Sequence, residues 1–260
     1  MHSQLIPGLP IQTFGLCVAT GMTLAWLVVE RISGRKDLGN LIFALLIAGI
    51  VGSRVAHVAE YWHADGFDRD FASVFAIWNG GLVFYGGLAA AAAVFAVWCL
   101  AKKEDVLKLA DLLCVGVPLG HAFGRLGCFF HGCCWGKVSD SCLALRFPAG
   151  SPVWYAHRAS AQAACSLPVL PTQLFESAAL LLLFFALLAL YRRAKGFTAA
   201  AYMLSYALIR FFMEFLRDDE RPSLWGLSSA QLVSIALAAA GAAFLAWSLK
   251  RHVKPSCDNR

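Results

Sequence analysis

Residues 124–137 read G-R-L-G-C-F-F-H-G-C-C-W-G-K, so an arginine, a histidine and three cysteines close an apolar stretch. Each type brings its own chemistry. Arginine carries a rigid fork of donors matched to phosphate or carboxylate. Histidine moves a proton near neutral pH, and a cysteine thiolate is a nucleophile or a metal ligand. The preceding residues, 111–123, already make up most of a membrane helix. Charge at the centre of a bilayer costs roughly 2.5–3.5 kcal/mol on insertion scales, so Arg125 in that setting implies something to bind. A second polar set lies on one helical stripe, with Arg210, Glu214 and Arg217 at i, i+4 and i+7. Arg54, His57 and Tyr61 form a similar stripe at i, i+3 and i+7. Residues at these spacings share one face of a helix, and Arg210 can pair with Glu214 within it.

The elements that must position these groups are membrane helices. Hydrophobic residues make up 59% of the 260 positions and charged residues 15%, a balance too apolar for an ordinary soluble domain. Seven runs reach about 20 apolar residues, enough for a hydrocarbon core of about 30 Å. They lie at 11–29, 40–61, 81–100, 109–130, 173–191, 197–216 and 229–249. The expected fold is therefore an all-α integral membrane protein with seven transmembrane helices. It reads as one polytopic domain over 1–260, with an extracytoplasmic loop at about 132–171. Pro148, Pro152, Pro168 and Pro171 argue against a helix through that loop.

Basic residues set the expected orientation. Arg31, Arg35, Lys36, Lys102, Lys103, Lys108, Arg192, Arg193, Lys195, Lys250, Arg251, Lys254 and Arg260 fall in alternate connections and the tail. The other connections hold only Arg69, Lys137, Arg146, Arg158, Arg217 and Arg221. This places the N-terminus outside and the C-terminus in the cytoplasm. The net charge of +6 is then mostly a topology signal. The basic residues are dispersed rather than gathered on one face, so no nucleic-acid partner is expected. Residues 1–10 lack the basic region of a cleavable signal peptide.

With those directions, Arg54, His57, Tyr85, Arg125, His131, Gln173, Glu176, Arg210, Glu214 and Arg217 all fall toward one leaflet, and the inner halves carry almost no polar residues. A single site opening to the outer side follows. Arginines from three helices outnumber the carboxylates near them, so an anion is the expected complement. In a bilayer the abundant one is a phospholipid phosphate. Gly80, Gly81, Gly86, Gly87, Gly120, Gly124, Gly127, Gly132 and Gly136 gather at the same ends. They suit close helix packing or irregular backbone lining a cavity.

Four blocks, in order, resemble the bacterial prolipoprotein diacylglyceryl transferase family. Residues 77–88, I-W-N-G-G-L-V-F-Y-G-G-L, are similar to W-x-G-G-M-S-F-H-G-G-L of that family. Residues 124–136 are similar to G-R-x-G-N-F-x-N-G-E-x-x-G, and 171–176, P-T-Q-L-F-E, to P-S-Q-L-Y-E. Residues 209–217, I-R-F-F-M-E-F-L-R, are similar to R-F-x-x-E-F-x-R, and Arg54 in V-G-S-R-V fits a further block. The resemblance implies transfer of a diacylglyceryl group from phosphatidylglycerol to the lipobox cysteine of a prolipoprotein. A thioether forms at the outer leaflet of the inner membrane. The implied partners are phosphatidylglycerol, the signal-peptide segment of the prolipoprotein and membrane lipid. It assigns Arg125 and Arg210 to the headgroup phosphate, with Arg54, Gln173, Glu214 and Arg217 in support. Tyr85 stands where the family has a histidine. Cys128 and His131 replace two asparagines, Cys133 replaces a glutamate, and Phe14 stands for a tyrosine. His131, Tyr85, Cys128 and Cys133 are thus the candidate catalytic residues. The alternative is a non-catalytic or differently specific relative that binds or transports an anionic phospholipid.

Cys17, Cys99 and Cys114 lie in spans and read as small apolar residues, and Cys257 lies in the tail. Cys128, Cys133, Cys134, Cys142 and Cys165 lie at or beyond the outer surface, where oxidation is permitted. Disulfides tying Cys142 or Cys165 to the 124–137 segment come first among the readings. A reactive Cys128 or Cys133 forming a covalent intermediate beside His131 comes next. A metal site from Cys128, His131, Cys133 and Cys134 comes last, because the spacing fits no familiar zinc pattern. No metal and no cofactor are expected. A thiol–disulfide protein using Cys133 and Cys134 ranks below the lipid readings, since no C-x-x-C is present. His57 is a weaker candidate, while His63, His121 and His157 read as structural. Trp78, Trp135, Trp154 and Trp225 suit an interfacial aromatic belt.

Overall fold

The structure, a computed structural model, describes residues 13–63, 70–77, 80–158, 164–194, 196–218, 223–224 and 226–253. Trp78, Trp225 and Cys257 lie outside these, as do residues 1–10 and the basic residues Arg69, Lys195, Arg221, Lys254 and Arg260. Eight helices carry most of the described chain. They are α1 Thr13–Ser33, α2 Leu38–Glu60, α3 Phe84–Lys102, α4 Val106–His131, α5 Pro152–His157, α6 Thr172–Arg193, α7 Thr198–Glu214 and α8 Ser229–Val253. A helix satisfies its backbone internally, which apolar sequence in lipid requires. Among the described residues, α1, α2, α3, α4, α6 and α8 are long and apolar enough to cross a membrane. Helix α7 covers the run expected at 197–216 but has 17 helical residues, about 26 Å at 1.5 Å per residue. The chain is an all-α membrane protein, with a two-stranded hairpin, β1 Ser223–Leu224 and β2 Leu227–Ser228, before α8.

Two compact units form, one from residues up to 29 and from 110 onward, the other from residues 30–109. In the second unit α2 and α3 pack through small residues. A Cβ on Gly86 would lie 2.3 Å from Ala56 Cβ and 2.5 Å from Gly52 O. The helices approach this closely only because the side chains are missing. Arg35 links the start of α2 to the turn after α3, with Nη1 and Nη2 on Glu104 at 3.0 and 2.5 Å and Nη2 on Asp37 at 2.6 Å.

In the first unit α4 is the central support. Gly21 of α1 meets Phe123, whose Cβ would stand 2.5 Å from an added Cβ. Ser177 Oγ of α6 donates to Ala122 O at 3.0 Å. Asp111 sits near the start of α4, within the stretch that reads as apolar, and is 1% exposed. It accepts from Gly196 N at 2.5 Å and Ala199 N at 2.8 Å, so it caps α7 from a neighbouring helix. A carboxylate there meets both the unsatisfied first-turn donors and the positive end of the helix dipole.

The described part of the 132–171 loop is built on its own small core. Phe147, Val153 and Val169 are fully buried, with Phe129 and Trp135 packed against them. Isolated antiparallel bridges join Val138 and Leu145 to Val169, and Pro148 to Cys165. The four prolines predict no helix here; Pro152 instead starts α5. Ser151 caps that helix by accepting from Trp154 N at 3.3 Å. Proline fits the first position because its missing N–H is one that the first turn leaves unused.

Candidate active site

Arg125 lies in α4 two turns before its end and faces Glu176 of α6, with Nη2–Oε1 at 2.9 Å. The Glu176 side chain is 1% exposed and that of Arg125 13%. The Arg125 guanidinium also acts on the Tyr206 hydroxyl of α7. One turn beyond Tyr206, Arg210 pairs with Glu214 at 2.7 Å, as their i, i+4 spacing predicts. His121, one turn before Arg125, meets the Tyr206 ring edge-on at 4.9 Å, and Tyr206 stacks on Tyr202 at 5.8 Å. The charges of Arg125 and Arg210 both act on His121 and Tyr206. Three helices thus converge on two arginines.

Arg125 and Arg210 each face a carboxylate of their own. A lone buried guanidinium is far costlier than a paired one. Arg217 lies just beyond α7. The pairs nevertheless leave donors unused. Arg125 Nε and Arg210 Nη1 are buried with no hydrogen-bond partner among the described residues, and Gln173 Oε1 is in the same state. A buried polar atom left in that condition costs about 1–3 kcal/mol, more when charged. An anion with several acceptor oxygens would relieve it.

The cysteines sit on the turn that follows α4. Gly132 and Cys134 both adopt left-handed backbone, with φ of 79° and 62°. That conformation is ordinary for glycine and costs a side-chain-bearing residue about 1 kcal/mol or more. The turn is held on several sides. Gln173 Nε2 donates to Cys133 O at 2.6 Å, and Thr172 Oγ1 donates to Cys134 O at 2.9 Å. Gly136 N donates to Leu170 O at 2.9 Å, and Lys137 N to Leu216 O at 2.8 Å. A Cβ on Gly136 would stand 2.7 Å from Leu216 O, so the turn lies directly on the end of α7. Folding back in this way brings the Sγ atoms of Cys128, Cys133 and Cys134 within 4.8 Å of one another. Hydrogen bonds from the Cys128 and Cys133 thiols, with the Arg217 guanidinium adding to them, hold the Cys134 thiol below its ordinary range. The same network, with burial, pushes Cys133 up.

No disulfide forms among the described cysteines, which corrects the leading expectation for Cys142 and Cys165. Cys142 is exposed on a turn. The backbone of Cys165 is bridged to Pro148, inside the loop's own fold. His131 ends α4 and is exposed. Phe14 of α1 packs on Gly127, with its Cδ2 2.9 Å from an added Cβ.

Arg54 and Tyr85 belong to the other unit. The Arg54 guanidinium donates to four carbonyls, from Nε to Val74 O at 2.8 Å, Nη1 to Gly80 O at 2.8 Å and Gly81 O at 3.1 Å, and Nη2 to Ser73 O at 2.6 Å. It therefore organises the segment that leads into α3. Gly81, with φ of 73°, lies where any Cβ would strike His57 and Arg54. Tyr85, in the first turn of α3, is 54% exposed and touches the Phe84 ring edge-on at 5.8 Å. His57 stacks on Tyr61 at 4.8 Å. The structure thus brings Arg125, Arg210, Gln173, Glu214, Arg217, Cys128 and Cys133 into one unit and holds Arg54 and Tyr85 in the second.

A family model described as prolipoprotein diacylglyceryl transferase matches residues 2–247. The chain belongs to that family. A phosphatidylglycerol–prolipoprotein diacylglyceryl transferase 2 of Clostridium perfringens is 33% identical over 240 residues, 88% of this chain and 87% of the relative. The enzyme named phosphatidylglycerol–prolipoprotein diacylglyceryl transferase in Pseudomonas paraeruginosa is 32% identical over 259 residues, covering 94% and 91%. Its Vibrio vulnificus counterpart is 31% identical over 254 residues, covering 93% and 88%. With six spanning-length helices among its described residues, this family member is a multi-pass inner-membrane protein. Glu176, Tyr206 and His121 lie beside the two arginines, although the sequence reading gives none of them a catalytic or binding role, and Cys134 enters that reading only in its metal and disulfide alternatives. Glu176 lies in a block carrying the resemblance, but nothing in the sequence couples it to Arg125.

Proposed function

We propose that the chain transfers a diacylglyceryl group from phosphatidylglycerol to the lipobox cysteine of prolipoproteins, as its relatives are named for doing. The observation that carries this reading is the pair of unused guanidinium donors, Arg125 Nε and Arg210 Nη1, buried on facing helices. They suit a headgroup phosphate, whose oxygens accept from both. Charge-assisted donors aimed at the departing phosphate stabilise it as negative charge builds. Arg125 and Arg210 hold the phosphate, Glu176 and Glu214 fix the two guanidinium planes, and Gln173 shapes the cysteine turn. Arg217 adds positive charge beside Cys134, and Arg54 orders its own unit.

In the reaction the acceptor thiolate attacks a glyceryl carbon, the C–S bond forms, and the C–O bond to phosphate breaks. Glycerol phosphate leaves with the electron pair. On this reading His131 accepts the thiol proton, while Tyr85, in the other unit, offers a hydrogen-bond donor. A covalent intermediate on Cys128 or Cys133 is disfavoured by chemistry, because the thioether it would form has a poor leaving group. The proposed setting is seven spans with the N-terminus outside, a single polytopic domain, and the loop of 132–171 on the outer side, where lipid and secreted substrate meet.

The test is reconstitution in phosphatidylglycerol vesicles with a lipobox peptide, reading the diacylglyceryl adduct by mass spectrometry. Adduct formation is expected with the cysteine peptide and absent with its serine counterpart. Retained phosphatidylglycerol without any adduct would refute transfer and leave a headgroup-binding relative.

A further inference from the structure

Three thiols converging on one point are a soft-metal donor set, and the turn that bears them is built rather than incidental. Cys128 lies in the last turn of α4, and Cys133 and Cys134 follow it. Two successive cysteines in extended chain would point apart. Here the left-handed backbone at Cys134 turns its side chain back toward the other two, and the bonds from Gln173 and Thr172 to the carbonyls of Cys133 and Cys134 hold it there. The three Sγ atoms lie within 4.8 Å of one another. Zinc–thiolate bonds of about 2.3 Å set sulfur atoms about 3.8–4.0 Å apart, so small side-chain rotations close the site. Three protein ligands leave the fourth tetrahedral position open, which is the pattern of a catalytic rather than a structural zinc.

We propose that Cys128, Cys133 and Cys134 bind a zinc ion whose open position takes the acceptor cysteine thiol and activates it for alkylation. This role rests on the transferase reading above; the site itself does not. A thiol that coordinates zinc is deprotonated outright, and its proton passes to solvent. The zinc-bound thiolate then attacks the glyceryl carbon, the C–S bond forms, and the phosphate departs with the C–O electron pair. No redox change occurs and no further reactant is needed. The charges fit, since four thiolates around one divalent cation carry two excess negative charges. Arg217 hydrogen-bonds Cys134, and Arg125, three residues before Cys128, acts on both Cys128 and Cys134. The i, i+3 spacing places the ligand Cys128 on the same face of α4 as Arg125, which holds the leaving phosphate. The metal thereby takes over the activation of the thiol that the reading above gives to His131.

The test uses the full-length protein in detergent, purified under reducing conditions. Zinc content is measured by plasma mass spectrometry, and Co²⁺ is exchanged in as a spectroscopic probe. One zinc per chain is expected, together with a thiolate-to-cobalt charge-transfer band and the visible bands of a tetrahedral ion. A lipobox peptide with cysteine shifts the visible bands; the serine peptide does not. Cys128→Ser, Cys133→Ser and Cys134→Ser each lower zinc affinity at least tenfold, while Cys142→Ser leaves it unchanged. The wild-type cobalt spectrum requires no variant to fold. Absence of stoichiometric zinc, or a Cys128–Cys134 or Cys128–Cys133 disulfide in its place, overturns the site. Bound cobalt that ignores the peptide thiol overturns its role in the reaction. A normal cobalt response to the peptide with no adduct from phosphatidylglycerol refutes the transfer reading alone and leaves the metal site standing.

Discussion

Arg125→Lys separates what the guanidinium does as a charge from what it does as a fork. Lysine keeps a cation opposite Glu176, whose side chain is 1% exposed, so the buried carboxylate is not left alone. That matters, because breaking a buried pair by removing one partner costs about 3–5 kcal/mol and would confuse folding with function. Lysine lacks Nε and the second terminal nitrogen, so the donor now unused in the buried site disappears. A hydrogen bond to a charged group contributes about 1.5–3 kcal/mol. At 1.36 kcal/mol per tenfold, the loss corresponds to roughly a 10- to 150-fold fall in kcat/KM. The assay is initial-rate adduct formation in phosphatidylglycerol vesicles, alongside thermal unfolding in detergent. The expected result is a nearly unchanged Tm with the stated loss of activity. Activity within about twofold of wild type in a properly inserted Arg125→Lys would refute the assignment of Nε to the phosphate. Glu176→Gln offers the complementary check, with a lower Tm expected because the Arg125 charge then lacks its counterion.

Further predictions follow from the packing. Asp111→Ala leaves Gly196 N and Ala199 N without acceptors, and a loss of about 2 kcal/mol or more is expected in detergent denaturation. Asp111→Asn should recover part of it through its remaining carbonyl oxygen. Gly86→Ala forces α2 from α3 and should destabilise by about 1–3 kcal/mol, read as a lower Tm; an unchanged Tm would mean the pair separates freely. Compared as metal-free protein, Cys134→Gly relieves a left-handed residue and should raise stability by about 0.5–1 kcal/mol, and it abolishes zinc binding. A lower Tm for that variant would show that the side chain contributes more than its backbone strain costs.

The sequence by itself determined the class and the family. Apolar runs long enough for a bilayer can only be helices there, and the arginine, glycine and glutamate blocks stand in the order their relatives share. It also determined the Arg210–Glu214 pair, because four residues along a helix is a fixed distance. Other features required neighbours distant in sequence. Nothing local links Arg125 to Glu176, and only the packing of α4 on α6 joins them. Asp111 reads as a flaw in an apolar run until α7 is seen to begin beside it. The cysteines are the sharpest case. Read along the chain, Cys133 and Cys134 point apart and make a poor chelate. A backbone torsion of 62° at Cys134, held by side chains about 40 residues away, turns both toward Cys128. Periodicity records which face a residue occupies within one element; left-handed turns and contacts between elements depend on the whole fold, so only the tertiary structure decided them.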